Sequence, residues 1–176
     1  MKKILAVATI VLALGSILPS AAMADGPVNL SLFNPIQIVG EDQAVKAFRF
    51  SLIYGVNTDL TGLDISLVGV NKGSVTGLQW ALVGITDGGF TGWQNSFISI
   101  TRGGFTGFQS GLYNSAGVGS KGFQWGWWNT ADEFSGFQLG FVNITQTMNS
   151  GLQIGIVNII KNKEKLKFFP IVNWKF

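Results

Sequence analysis

Seven glycines recur along the chain at an interval of 15 residues, with a single step of 14. Each glycine opens a similar segment, and most of these read G-[LFW]-Q-x-small-x-x-[N/G/S], as in the stretch from Gly122 to Asn129. A period this short is typical of one strand-plus-turn unit that is copied many times, so it constrains the architecture before any single residue is considered. The seven glycines are Gly62, Gly77, Gly92, Gly107, Gly122, Gly136 and Gly151.

The alternation of residues within each unit predicts β-strands. We count positions from the repeat glycine, which is offset 0. Offsets 1, 3 and 5 are bulky and apolar in 19 of 21 cases, with Asn95 and Ser110 as the exceptions, whereas offset 2 is Gln or, in the first unit, Asp64. Successive side chains of a strand point to opposite faces, so one face is bulky and apolar and the other is thin and half polar. This is strand periodicity and not helix periodicity.

Charged residues are confined to the turns between these segments. Among offsets 0 to 9 of the seven units, Asp64 is the only charge. Uncharged strands of about nine residues match the length that a tilted strand needs to cross a bilayer. We therefore expect one all-β domain, a closed or nearly closed antiparallel meander barrel of about 8–10 strands built from 15-residue repeats. Offset 10 carries the charges of Lys72, Asp87, Arg102, Asp132 and Lys161.

Three arrangements of the bulky face remain open. It meets lipid in an outer-membrane barrel, forms the interior of a soluble or peripheral barrel, or belongs to a parallel β-solenoid in which the offset-2 residues stack as a ladder. The chain end favours the membrane barrel, because aromatic and other apolar residues alternate from Phe168 to Phe176. We interpret Trp174 and Phe176 as an assembly signal. The turns argue against it, because they are uniformly short, whereas outer-membrane barrels have longer outer loops.

The meander makes a geometric prediction about equal offsets. Only residues near the strand centre would meet their own copies, so Leu82 and Phe97 are expected to be neighbours. Gln79 and Gln94 would lie near opposite ends of adjacent strands, roughly 20 Å apart at 3.4 Å per residue. Cysteines placed at 79 and 94 are then expected not to cross-link, whereas a solenoid would bring them together.

Two irregularities predict local departures from a regular ladder. The 14-residue step between Gly122 and Gly136 requires a turn of changed length or a bulge. Pro170 cannot donate a ladder hydrogen bond, so it is expected at a sheet edge or a bulge.

The N-terminus has the features of a secretory signal peptide. Lys2 and Lys3 precede an apolar stretch from Ile4 to Leu18, and Ala22-Met23-Ala24 fits the small-x-small cleavage rule. The sequence therefore predicts a signal peptide at residues 1–24 and a single repeat-built domain at residues 25–176. Cleavage leaves ten Lys and Arg against nine Asp and Glu, so the mature chain is nearly neutral. A nearly neutral chain lacks the basic character of a nucleic-acid-binding protein.

The composition argues against catalysis and metal binding. The chain has no histidine and no cysteine, so the commonest general base, thiol nucleophile and zinc ligands are missing. Asp132-Glu133 is an adjacent acidic pair on a turn, where solvated carboxylates are the ordinary outcome. We expect a protein that is not an enzyme and needs no cofactor or metal.

Two sets of residues are candidates for contact with other molecules. A row of glutamines could line a polar lumen or bind a sugar-like ligand, or simply satisfy itself: Gln79, Gln94, Gln109, Gln124, Gln138 and Gln153. A set of bulky residues is expected to face the membrane: Trp80, Phe97, Trp125, Trp127, Leu139 and Phe141.

The tandem G-[LF]-Q-x-G-x-x-N units, the stretch from Ser51 to Asn57 and the closing stretch from Phe168 to Trp174 resemble a group of poorly characterised bacterial surface-repeat proteins. The resemblance covers nearly all of the predicted mature chain, and it implies an envelope location and a symmetric β architecture, but no activity. We expect an outer-membrane or cell-surface protein with a structural or passive binding role, whose partners are lipid and the outer-membrane assembly machinery. The alternative is a periplasmic or peripheral carrier that holds an apolar ligand or lipid within the bulky face.

The first prediction concerns processing. Intact-mass measurement of the exported protein is expected to show a chain that begins at Asp25, because the cleavage rule is met at Ala22-Met23-Ala24. An exported chain that retains residues 1–24 would contradict it.

Overall fold

The computed structural model describes residues 25–176, and the predicted signal peptide lies outside these residues. The described chain is built from strands and turns. The strands are β1 (Gly26–Phe33), β2 (Ile36–Gln37), β3 (Val45–Asn57), β4 (Leu60–Asn71), β5 (Val75–Thr86), β6 (Phe90–Thr101), β7 (Phe105–Ala116), β8 (Ser120–Leu139), β9 (Val142–Ile160) and β10 (Phe168–Lys175).

The strands form a parallel β-solenoid. One ten-stranded sheet has the order β10-β9-β8-β7-β6-β5-β4-β3-β1-β2, and every pairing from β1–β3 to β8–β9 is parallel. Equal offsets stack directly, so Gly77 pairs with Gly92 and Gln79 with Gln94. The prediction of an all-β tandem-repeat fold is confirmed, whereas the closed antiparallel barrel is wrong and the solenoid alternative is correct.

Each coil reverses direction at a corner that the sequence analysis overlooked. Inward-facing residues lie at even offsets before the corner, as at Gln79, and at odd offsets after it, as at Thr86. The ladder between β4 and β5 pairs Ser66 with Ala81 and Val68 with Val83, but skips offset 5 between them. The apparent nine-residue strand is therefore two shorter arms that meet at offsets 5 and 6. We call this edge of the solenoid the apolar corner, and the opposite edge, formed by the turns at offsets 10 to 12 with the exposed offset −1, the polar edge.

The repeat glycines form a column that only glycine can occupy. Each of the seven has a positive φ, between 114° and 155°, which L-residues with side chains rarely adopt. A Cβ at Gly92 would overlap the carbonyl oxygen of Gly77 directly below it, and the same holds along the column. The invariance of offset 0 thus follows from close backbone stacking between coils.

Both predicted irregularities are present. The turn after Ala131 has two residues, Asp132 and Glu133, where the four preceding coils have three, and the register shifts by one residue between Phe134 and Ser135 in the following pairing. Pro170 lies in β10, the antiparallel edge strand, and the register with β9 shifts around it. These features confirm that the shortened turn, a bulge and an edge position absorb the departures from the repeat.

The expectation that Gln79 and Gln94 lie roughly 20 Å apart is wrong, since the two are direct ladder partners. Cysteines at exposed positions test the corrected register. Thr76 and Thr91 are stacked and exposed, so T76C/T91C is expected to form an intramolecular disulfide at a Cα separation of about 4.8 Å. The variant T76C/T106C, whose sites lie two coils and about 9.6 Å apart, serves as the control and should stay reduced. Non-reducing electrophoresis and mass spectrometry read the result, and failure of the first pair would contradict the parallel register.

Candidate functional site

The offset-2 glutamines lie inside the solenoid and bind one another. All six are buried, with at most 1% of their surface exposed, so the structure places them in the interior and not along an open lumen. Each amide nitrogen donates to the amide oxygen of the preceding coil at 2.6–2.9 Å, from Gln153 back to Gln79. Every donor in this row points toward the N-terminus. Their geometry therefore matches the interpretation in which the glutamine side chains satisfy one another's hydrogen bonds.

The glutamine ladder ends on a buried ion pair. Gln79 Nε2 donates to Asp64 Oδ2 at 2.7 Å, and Arg49 donates to both carboxylate oxygens of Asp64, at 2.9 and 2.6 Å. Both side chains of the pair are fully buried. Arg49 also donates to the main-chain carbonyl of Val70 at 3.1 Å. Asp64 accepts the last amide of the row, and Arg49 neutralises the carboxylate.

Sequence reasoning identified Asp64 as an exception to the repeat but missed Arg49. The signal was available, because Arg49 lies 15 residues before Asp64 and therefore at offset 2 of the degenerate unit that begins at Ala47. A single charge inside an uncharged repeat required a buried partner, since an unpaired buried charge is too costly to keep.

A second interior ladder runs in the opposite direction. Asn114, Asn129 and Asn143 each donate to the side-chain oxygen of the asparagine in the following coil at 2.8 Å. Each also donates to a main-chain carbonyl at offset 3 of that coil, at 2.9–3.0 Å. The glutamine donors point to the N-terminus and the asparagine donors to the C-terminus, so the two rows of amide dipoles oppose each other.

The apolar part of the interior lies next to the polar edge. Offset −2 contributes most of it, and Phe90 and Phe105 stack there with ring centroids 5.8 Å apart. Toward the apolar corner, the interior is filled by the two amide ladders. Within residues 25–176, the interior near the apolar corner is therefore polar, and the bulky face lies outside. The buried apolar cluster comprises Val39, Val45, Leu60, Val75, Phe90, Phe105, Ala116, Ala131, Phe134, Met148 and Ile160.

The bulky face covers the outside of the first arm. None of its 19 apolar residues is buried, and the residues predicted to face the membrane are 39–63% exposed. Its two polar members satisfy each other, because Ser110 Oγ donates to Asn95 Oδ1 at 2.7 Å. The structure thus brings the six predicted residues onto one outer surface: Trp80, Phe97, Trp125, Trp127, Leu139 and Phe141.

The second arm is apolar outside as well. Offsets 6 and 8 point outward after the corner and carry valine, isoleucine and aromatic residues, with Ser115 and Thr130 as exceptions. Regular strand alternation would place offset 6 on the face of the glutamines, and the change of alternation at the corner turns it outward instead. The apolar surface therefore runs over the first arm, around the apolar corner and onto the second arm.

The chain end lies on the same outer surface. Trp174 pairs with Leu152 at offset 1 of the last coil and is 43% exposed, whereas the terminal Phe176 is 89% exposed. The two residues predicted as an assembly signal are thus accessible at the edge of the sheet.

Exposed charges gather at the polar edge. Asp87 and Arg102 form an ion pair between successive turns, and Lys72 binds Asp42 at 2.7 Å. The hydrogen bond to Asp42 raises the pKa of Lys72, and the backbone amide of Ala44, with help from Lys46, lowers the pKa of Asp25. The solenoid is thus amphipathic across its width, with charge on one edge and apolar side chains on the other.

The described residues contain no group of three or more Asp, Glu, His or Cys side chains that could hold a metal ion. Within residues 25–176, we found no helix with the length and apolar character needed to cross a bilayer. Comparison of the chain with protein-family models, with curated proteins and with solved structures found no match.

The buried ion pair gives a stability prediction. Replacing Asp64 by Gln leaves Arg49 charged and uncompensated, and breaking a buried pair in this way costs about 3–5 kcal/mol. The double variant R49Q/D64Q extends the amide ladder by two steps and is expected to recover most of that loss. Guanidinium unfolding measures both values.

The matched control is the exposed pair at the polar edge. Asp87 and Arg102 are also 15 residues apart but are 41% and 61% exposed, so D87N should change stability by less than about 1 kcal/mol. A D64Q variant as stable as D87N would contradict the anchoring role of the buried pair.

Proposed function

We propose that the protein is an exported, non-enzymatic protein of the cell envelope that associates with the outer membrane through its apolar outer surface and has a structural, surface or passive binding role. The observation that carries the proposal is the inverted distribution of side chains. Amide ladders fill much of the interior, while Trp, Phe, Leu and Ile side chains are exposed along the first arm and half-buried apolar side chains cover the outside of the second.

The extent of the apolar surface favours lipid as its partner. Seven stacked units extend roughly 30 Å along the solenoid, and an arm is about 15 Å wide, which gives on the order of 400 Å² per arm. The largest apolar patch on a typical soluble monomer is about 300–600 Å², and larger patches, such as the two arms together, mark interaction sites. A second copy of the chain could cover one arm, but lipid can cover both arms and the corner between them at once.

The width of a coil fits one leaflet of a bilayer. From offset −1 at the polar edge to offset 5 at the apolar corner, six residues span about 20 Å at 3.3 Å per residue. Half of a hydrocarbon core is about 15 Å thick. With the solenoid axis parallel to the membrane, the corner reaches into the leaflet while the charged turns stay in water. Along the segment from Asp87 to Phe97, the side chains change from a charged residue at the polar edge to an exposed aromatic residue at the apolar corner.

Fractionation and charge substitution test this proposal. The wild type is expected to fractionate with outer membranes and to resist carbonate extraction. The variant L82R/F97R introduces two charges at the apolar corner, where each arginine in hydrocarbon costs about 2–4 kcal/mol, so it should be released.

The control variant T76R/T91R adds the same two charges at exposed positions of the polar edge, and it should fractionate like the wild type. Circular dichroism confirms that both variants retain their strands. Recovery of the wild type as a soluble periplasmic monomer would overturn the proposal.

A further inference from the structure

The polar edge is electrically asymmetric along the solenoid. The last coil and β10 carry five lysines against one carboxylate, Glu164, in the segment from Lys161 to Lys175. At the other end, Asp25, Glu41, Asp42 and Asp59 outnumber Lys46 and Lys72. Lys161, Lys165 and Lys167 are exposed and make no ion pair among the described residues. The C-terminal end thus offers a concentrated positive charge to water.

An apolar groove of about 520 Å³ opens on the outer face of the same end. Its floor is the main chain at offset 4 of three successive coils, where the inward-facing residue is glycine. Bulky residues at offsets 3 and 5 form its walls, and Ile171 of β10 closes one side. The floor is Gly126, Gly140 and Gly155, and the walls include Trp125, Trp127, Leu139, Phe141, Ile154 and Ile156.

Strand β10 connects the lysines to the groove. Lys175 pairs with Gly151 near the polar edge, and Ile171 pairs with Gly155 in the groove. The four residue steps from Ile171 to Lys175 span about 13 Å, which is close to the depth of one hydrocarbon leaflet. The Nζ atom of Lys163, in the turn before β10, lies 5.0 Å from the ring centre of Trp174 in β10. A molecule with an anionic head and an apolar tail fits this arrangement along its length.

We propose that the C-terminal end of the solenoid binds an anionic phospholipid, whose headgroup contacts the lysines of residues 161–175 and whose acyl chain lies in the glycine-floored groove. This inference rests on the proposed membrane association and adds a selectivity to it. Free phosphate could bind the lysines but has no apolar chain to occupy the groove. A second copy stacked end to end would meet the lysines with its acidic end, but would leave the groove uncovered on the flank.

Tryptophan quenching by brominated lipid tests the proposal with the exported protein. Two vesicle preparations contain phosphatidylcholine with a minor fraction of phosphatidylglycerol. In one preparation the bromine is on the acyl chains of phosphatidylcholine, and in the other it is on those of phosphatidylglycerol. The mole fraction of brominated chains is the same in both. Quenching is expected to be stronger when the bromine is on phosphatidylglycerol. The variant W125F/W127F should lose this excess, whereas W80F/W93F, altered on the same outer face but outside the groove, should retain it.

Charge variants test the headgroup contact. K161Q/K165Q/K167Q is expected to lose the preference for phosphatidylglycerol vesicles, by about fivefold in partitioning for each lysine removed. K46Q/K72Q/K121Q removes the same charge from exposed positions elsewhere on the polar edge and should keep the preference.

The outcomes separate the two proposals. Equal quenching from either brominated lipid, or equal loss of preference in both triple variants, overturns the anionic-lipid site and leaves membrane association intact. Absence of binding to any vesicle overturns the proposed membrane association itself. A lipid-independent dimer that shields Trp125 and Trp127 from an aqueous quencher would assign the groove to a second copy and overturn the lipid site.

Discussion

The donation from one buried amide to the amide of the preceding coil is the interaction on which this architecture depends. It repeats from Gln153 to Gln79 and ends where Arg49 neutralises Asp64. Because a buried amide without a partner costs about 1–3 kcal/mol, a coil displaced by one residue would forfeit its donor, its acceptor and the glycine column together. The ladder therefore specifies register, which an outer surface of interchangeable Leu, Ile, Phe and Trp cannot do.

A polar interior is also consistent with the proposed contact of the outer surface with hydrocarbon. In water, apolar burial drives folding, but lipid offers no such force between apolar surfaces, and association there depends on packing and hydrogen bonds. The parallel coils satisfy each other's backbone groups, and the amide ladders join them through side chains. The apolar cluster that remains, around Phe90 and Phe105, lies beside the polar edge, where water is close enough for the hydrophobic effect to operate.

The repeat predicted much of this molecule, and the point at which prediction failed has a physical explanation. The period, the repeat glycines, the confinement of charge to turns and the outward position of Trp80 and Phe97 follow from residues read along the chain. The corner at offsets 5 and 6 does not, because it is marked only by two consecutive outward residues, such as Leu82 and Val83, that are apolar like their neighbours. Without the corner, the two short arms read as one long strand, and strands of that length predict a barrel. The nearly identical turns were the signal that a parallel stack, with all turns on one edge, should be preferred.

The position of the corner decides how the molecule can meet a membrane. A barrel presents apolar side chains around a closed wall and places its turns at two rims, whereas this solenoid places its charged turns along a single edge. A line of charges from Lys72 to Lys161 along the solenoid axis cannot lie within hydrocarbon, so an upright orientation across the bilayer is excluded by the same residues that permit a flat one. In the proposed membrane association, the asymmetry of the edge would give the two ends different charge at one membrane surface. The proposed selectivity among lipids would then arise at the lysine-rich end, without any change in the repeat that holds the coils together.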